Sequence, residues 1–207
     1  MNQISLESVL KHPKMYLKLQ NFMGADRLRK KCIEIIDPQP SDSILDIGCG
    51  PGQIFDFMPK IKKYYGFDTE KRYIDYASKK YLNLGEFFNC EFDEKFLNST
   101  KIDSIDKVFL MGILHHIPNK VAIDLLKLLC RVLKPTGSVI SLDPCYTPNQ
   151  SIISKFIAKN DRGKFVRTES EYLSLFKNIF SEIDGKIFHN TCRIPSTEII
   201  FLLKKPC

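Results

Sequence analysis

The 207-residue chain has no apolar run approaching the ~18–20 residues that a membrane-crossing helix needs, so no transmembrane span is expected. It has no Cys-x-x-Cys pair. Its seven cysteines are Cys32, Cys49, Cys90, Cys130, Cys145, Cys192 and Cys207. An odd, unpaired set points to neither a zinc site nor a disulfide framework, and no metal is expected. Several of them lie inside apolar runs and read as small core residues in a reducing cytosol. The first residues, Met1-Asn2-Gln3-Ile4-Ser5-Leu6-Glu7, have no basic stretch followed by an apolar core. No secretory signal is therefore expected, and the location read from the sequence is cytoplasmic. There is no internal repeat, no low-complexity segment and no long basic run. The net charge is +7 with a pI near 9.0, but the lysines come only in pairs such as Lys30-Lys31, Lys62-Lys63 and Lys79-Lys80. That spread reads as a solvated lysine-rich surface, and no specific nucleic-acid partner is expected.

What is present is ordinary globular composition, 43% hydrophobic and 27% charged, at a length that suits one domain, as a monomer or homodimer. The most informative stretch is Ser43-Ile44-Leu45-Asp46-Ile47-Gly48-Cys49-Gly50-Pro51-Gly52. Ile44, Leu45 and Ile47 read as a short buried strand. It runs into three glycines at alternate positions, a residue type that tolerates positive φ and lets a ligand approach the backbone. Such a loop after the first strand of an open α/β sheet lies at the usual ligand-binding edge. Asp46 sits inside the strand end, where a buried carboxylate needs a partner, and a cationic ligand would supply one. The pattern differs from the dinucleotide fingerprint Gly-x-Gly-x-x-Gly, because its third glycine comes one residue early and an aspartate precedes the first.

A second strand, Tyr64-Tyr65-Gly66-Phe67, ends in Asp68, 20 residues after Gly48. That is near the spacing at which an acidic residue takes ribose hydroxyls in nucleotide-binding α/β units. Asp68 and Thr69 also compete to cap a helix expected from Glu70 to about Lys80. A third segment, Asp106 to Ile117, runs apolar into the pair His115-His116.

Leu45-Asp46-Ile47-Gly48-Cys49-Gly50-Pro51-Gly52 resembles the first motif of class I S-adenosylmethionine-dependent methyltransferases. The Leu114-His115-His116 segment and the passage Arg131 to Ile140 are similar to those of the family's small-molecule members. The resemblance spans roughly residues 43–143. It implies a doubly wound, Rossmann-like α/β fold with a seven-stranded sheet, mostly parallel, with one antiparallel strand near the C-terminus. It implies S-adenosylmethionine as cofactor, bound by Asp46, Gly48, Cys49, Gly50, Gly52, Asp68, Thr69 and Met111. It also implies an acidic residue after the third strand at the adenine, Asp93 with Glu91 as the alternative. Residues 1–42 are expected to form an N-terminal helical cap, and 43–207 the cofactor-binding domain.

Along the rest of the chain the patterns predict a third strand over Glu86–Phe92 and a helix from about Asn119 to Leu133, stopped by Lys134-Pro135-Thr136-Gly137. A helix is expected over 149–160, and a capping box at Thr168-Glu169-Ser170-Glu171. Closing strands are expected at Ile183–His189 and Thr197–Leu203. His116 and His115 are the candidate general bases, since imidazole titrates near neutral pH. Tyr16, Tyr146, Arg162 and Arg167 are candidate acceptor-binding residues, and an arginine pair would suit an anionic small-molecule acceptor. An RNA methyltransferase is the alternative, as is a cofactor-binding protein without catalysis. The Asn/Asp-Pro-Pro-Tyr/Phe segment of enzymes that methylate exocyclic amines is replaced here by Leu110-Met111-Gly112-Ile113.

Overall fold

The structure, a computed structural model, describes residues 12–160 and 163–206. Strand β1 (Ser43–Ile47) is buried along its whole length, as its apolar run requires of a central parallel strand. It lies between β2 (Lys63–Phe67) and β4 (Ile105–Met111), parallel to both. Beyond β2 lies β3 (Glu86–Phe88), and beyond β4 lies β5 (Leu133–Tyr146). The sheet is completed by β8 (Thr197–Pro206), antiparallel to β5, and by β7 (Phe180–His189), antiparallel to β8. The order is β3-β2-β1-β4-β5-β8-β7.

Alternate residues of the central strands face opposite sides. Leu45, Val108 and Leu110 pack with Leu126 and Leu129 of the helix Asn119–Val132 and with Phe176 and Phe201. Ile44, Phe109 and Ile140 pack on the other side with Cys32, Ile36 and Ile74. Each face is thus covered by helices, which is the doubly wound arrangement. Helices α1 (Pro13–Met23) and α2 (Asp26–Ile36) precede the sheet. The N–H of Arg193, between β7 and β8, donates to the Met23 carbonyl at 2.8 Å and ties α1 to that distant loop.

Four details correct the sequence-based expectation. The sheet has an eighth strand, β6 (Arg167–Thr168), which pairs in parallel with Cys145 and Tyr146. Strand β3 stops at Phe88, because the next residue, Asn89, turns its side-chain amide to the carbonyls of Asp68 and Thr69. The segment Lys134–Gly137 lies within β5 as an irregularity, between the Ile105–Leu133 and Lys107–Ser138 pairings. Neither Asp68 nor Thr69 caps α3 (Lys71–Lys80); Glu70 does. Helices α4 (Glu94–Ser99), α5 (Asn119–Val132), α6 (Ile152–Lys159) and α7 (Glu169–Phe176) complete the described elements, and α7 opens with the expected capping box at Thr168.

Candidate active site

A cavity of about 480 Å³ opens where β1, β4 and β5 end, within the range of small-molecule sites. One wall is the loop after β1. Its glycines Gly48, Gly50 and Gly52 have φ of 72°, 55° and 79°. The N–H groups of Gly48 and Cys49 both donate to the Phe67 carbonyl, at 2.7 and 2.9 Å, which fixes the loop against β2. A Cβ on Gly48 would meet Ile113 Cδ1 at 2.0 Å, whereas one on Gly50 would meet nothing within 4 Å. Gly50 therefore presents bare backbone to open space. Gly52 faces elsewhere: a Cβ there would strike the Tyr81 ring at 2.7 Å, and Gly52 does not line the cavity.

Two carboxylates stand behind this loop. Asp46 is only 2% exposed, and its Oδ2 accepts from the Tyr64 hydroxyl at 2.6 Å. Burial pushes its carboxyl up to about 7, with Asp68 adding to the rise and the Tyr64 hydroxyl and Arg29 opposing it. Asp68 accepts from the Gly50 N–H at 2.9 Å and the Glu70 N–H at 2.8 Å. Burial raises it too, against those two hydrogen bonds. A wall of two desolvated carboxylates is suited to a cationic ligand.

Asp93 does not reach the cavity. Its Oδ1 accepts from the Phe96 N–H at 2.7 Å as the cap of α4, and it is exposed. Glu91 is exposed as well, because Phe92 between them is the residue turned into the core. Thr69 lies outside the lining, with its carbonyl held by Asn89. Cys49 and Met111 line the cavity.

The other wall follows β4. Leu114–His116 form a single 3₁₀ turn. Asp143, at the end of β5, accepts on one oxygen, Oδ1, from the His115 N–H at 3.1 Å, and lies 2.7 Å from His115 Nδ1. Its Oδ2 is buried with no hydrogen-bond partner among the described residues. Burial raises the Asp143 carboxyl, and His115 and Arg167 pull it back. A carboxylate on Nδ1 fixes the imidazole tautomer and leaves Nε2 as the basic nitrogen. The His116 ring is exposed, its centroid 4.0 Å from that of His115. Both histidines line the cavity, as does Tyr16, 5.1 Å from the Tyr73 ring.

Arg167 departs from expectation. It is buried, and it donates from Nη1 to the carbonyls of Leu114 and Phe165 at 2.6 and 2.9 Å. From Nη2 it donates to the Ile117 carbonyl at 2.8 Å, and from Nε to Asn119 Oδ1 at 2.9 Å. Four of its five N–H groups are spent on residues in and around the histidine turn, which makes it a clamp on that turn rather than an acceptor-binding arm. Tyr146 does not line the cavity either; it pairs with Thr168 of β6. Arg162 lies outside the described residues.

Sequence reasoning missed Asp143, although it follows an apolar strand just as Asp46 and Asp68 do. It also missed Arg29, which reaches the cavity from α2 with its guanidinium held by Asp26 at 2.8 Å and Gln20 at 3.0 Å. Nothing local marks Arg29, because its place depends on how α2 packs. Asp46, Asp68, Asp143 and Glu198 line the cavity against Arg29, so among the described residues the lining is net acidic within a protein of net charge +7.

Residues 44–137 match the family described as "Methyltransferase domain". The chain is 25% identical over 189 residues to the ribosomal RNA small subunit methyltransferase A of Borreliella afzelii (strain PKo). That alignment covers 90% of this chain, which spans 63% of that relative's length. Among solved structures, a SAM-dependent methyltransferase from Archaeoglobus fulgidus superposes with a TM-score of 0.69 at 17% identity, covering 92% of this chain and 99% of the other. Geranyl diphosphate C-methyltransferase from Streptomyces coelicolor A3(2) superposes with a TM-score of 0.62 at 12% identity, covering 87% and 78%. With the glycine loop and the two strand-end carboxylates in this setting, residues 44–137 form a methyltransferase domain, and the fold of the chain is that of the S-adenosylmethionine-dependent methyltransferase from Archaeoglobus fulgidus.

Proposed function

We propose that the protein transfers the methyl group of S-adenosylmethionine to a small organic acceptor held beside His115 and His116, with α1 and α2 as a cap over the site. The observation that carries this reading is the His115–Asp143 pair in the same cavity as the glycine loop. The cofactor suits the other wall. Gly50 leaves room for it, and Asp46 and Asp68 are carboxylates suited to its ammonium group and its ribose hydroxyls. When bound it supplies an already activated methyl on a cationic sulfonium. The protein's own work is then orientation, and a base where the acceptor must lose a proton. His115 Nε2 is that base, with Asp143 holding the Nδ1 proton and stabilising the imidazolium formed. An acidic lining favours a neutral or cationic acceptor. An anionic acceptor would have to be met by Arg162 or Arg29, since Arg167 is committed to backbone carbonyls.

An RNA acceptor is the second reading, favoured by the similarity to a ribosomal RNA methyltransferase. One experiment separates the two: cofactor turnover screened against a metabolite library and against total RNA. Turnover on a metabolite supports the first reading. Turnover on RNA, with binding that survives physiological salt, replaces it with the second. Cofactor binding without turnover on either would leave a non-catalytic binding protein.

A further inference from the structure

Six of the large apolar side chains exposed among the described residues belong to α1 and α6, the helices that contribute Tyr16, Gln20 and Met23, and Ser154, Ile157 and Ala158, to the cavity. On α1 they are Met15, Leu19 and Phe22; on α6 they are Ile152, Ile153 and Phe156. Phe22, Ile152 and Phe156 are 63%, 87% and 66% exposed, values far beyond those of an ordinary half-covered surface residue. Positions 15, 19 and 22 follow the i, i+4, i+7 spacing of one helix face. That face lies one residue N-terminal to the cavity-lining positions 16, 20 and 23, so the stripe borders the cavity wall. Ile153 and Phe156 stand in the same relation to Ser154 and Ile157 on α6.

The charge on these helices has one sign. Alpha1 carries Lys14 and Lys18 and α6 carries Lys155 and Lys159, all exposed, and neither helix contains an aspartate or glutamate. Elsewhere lysines and acids alternate: α3 pairs Lys71 with Asp75, and α2 pairs Lys31 with Glu34. An exposed apolar face edged by lysines alone, with no acid, matches an anionic lipid surface, where acyl chains take the apolar side chains and headgroups take the ammonium groups. A protein partner would have to place carboxylates opposite all four lysines around its own apolar patch, whereas an anionic lipid surface presents headgroups and acyl chains at every point of contact. We propose that α1 and α6 dock the protein on an anionic lipid surface, with the cavity bordering the docked face. This docking does not rest on the methyltransferase reading.

The test is sedimentation of the full chain with vesicles of phosphatidylcholine alone or mixed with phosphatidylglycerol. The wild type is expected to sediment with the mixed vesicles at low salt and far less with phosphatidylcholine alone. Phe156→Ser combined with Ile153→Ser should lower the bound fraction about tenfold or more, as expected for losing two buried apolar side chains. Lys155→Glu combined with Lys159→Glu should lower it similarly, and added salt should mimic that change. Leu82→Ser with Leu84→Ser, exposed apolar residues after α3, should change nothing. An unchanged circular-dichroism spectrum and melting temperature confirm that each variant is folded. Three outcomes overturn the proposal: no sedimentation with anionic vesicles, binding that the α6 serine variants do not reduce, or a concentration-dependent dimer that those variants dissolve.

Discussion

The two walls of the cavity are made in different ways. The wall proposed for the cofactor comes from two adjacent strand ends, Asp46 to Gly50 and Asp68, cross-braced by backbone N–H groups that donate, from Gly48 and Cys49, to the Phe67 carbonyl and, from Gly50, to the Asp68 carboxylate. Asp46 is buried and Asp68 half-buried, and the geometry follows from strand register. The wall proposed for the acceptor gathers Tyr16 and Arg29 from the N-terminal helices, the histidine turn after β4, Asp143 near the end of β5, Ser154 from α6 and Thr197 from β8. There the braces join side chains distant in sequence: Arg167 to the carbonyls of Leu114 and Ile117, and Ser154 Oγ to Thr197 Oγ1 at 3.1 Å. One wall is local and rigid by backbone; the other is assembled by packing. Lesions should therefore separate, with cofactor affinity responding to the first wall and turnover to the second.

The sharpest test of that separation is His115→Ala. It should lower turnover by about two to four orders of magnitude once an acceptor is known, while leaving S-adenosylhomocysteine affinity nearly unchanged. Asp143→Asn should lower turnover less and distort the pH–rate profile, since the imidazole would lose its fixed tautomer. A matching collapse of cofactor affinity in calorimetry would mean that the walls are one unit.

Arg167→Met should cost stability rather than acceptor affinity. It removes charge-assisted hydrogen bonds to three backbone carbonyls and leaves buried acceptors unpaired, a loss of about 2–4 kcal/mol by denaturant unfolding. A raised acceptor KM at unchanged stability would return Arg167 to the acceptor. On the cofactor wall, Asp68→Ala should weaken S-adenosylhomocysteine binding by about 1–3 kcal/mol, since ribose hydroxyls lose a charged acceptor and the Gly50 N–H loses its brace. Unchanged affinity would remove Asp68 from the site.

The same division explains what could be read from the sequence. The central strands, the glycine loop and Asp46 and Asp68 were legible, because a short apolar run, a turn and a carboxylate in a contiguous stretch carry their own geometry. The capping box at Thr168 and helix α3 were legible for the same reason. Arg167 was misread because a loop arginine and a buried clamp look identical until the carbonyls of a turn 50 residues earlier are brought to it. Asp93 was misread because helix capping and ligand binding ask for the same residue type. Arg29 and the Ser154–Thr197 pair left no local signal, since only packing brings α2, α6 and β8 together.

A further effect concerns the proton on Asp46. Its carboxyl titrates near 7 in the protein and near 3.8 when unfolded. Between those values the native state holds a proton that the unfolded chain has released, so Asp46 lowers the stability of the ligand-free protein as pH rises from about 4 to about 7. Cofactor binding should run the other way. An ammonium group beside Asp46 favours the ionised form, so below about pH 7 binding expels a proton. S-adenosylhomocysteine affinity should then rise by up to about tenfold per pH unit and flatten above about 7. The Tyr64 hydroxyl and Arg29 favour the charged carboxylate, while Asp68 and burial oppose it. Tyr64→Phe should therefore move the break to higher pH without moving His115 or the acceptor wall. Calorimetry in two buffers of different ionisation enthalpy reads the proton directly, as a buffer-dependent binding heat below pH 7 that vanishes above it. An affinity that stays flat across that range, with no buffer dependence, would mean that Asp46 is ionised in the ligand-free protein and that its carboxylate meets no charge on the cofactor.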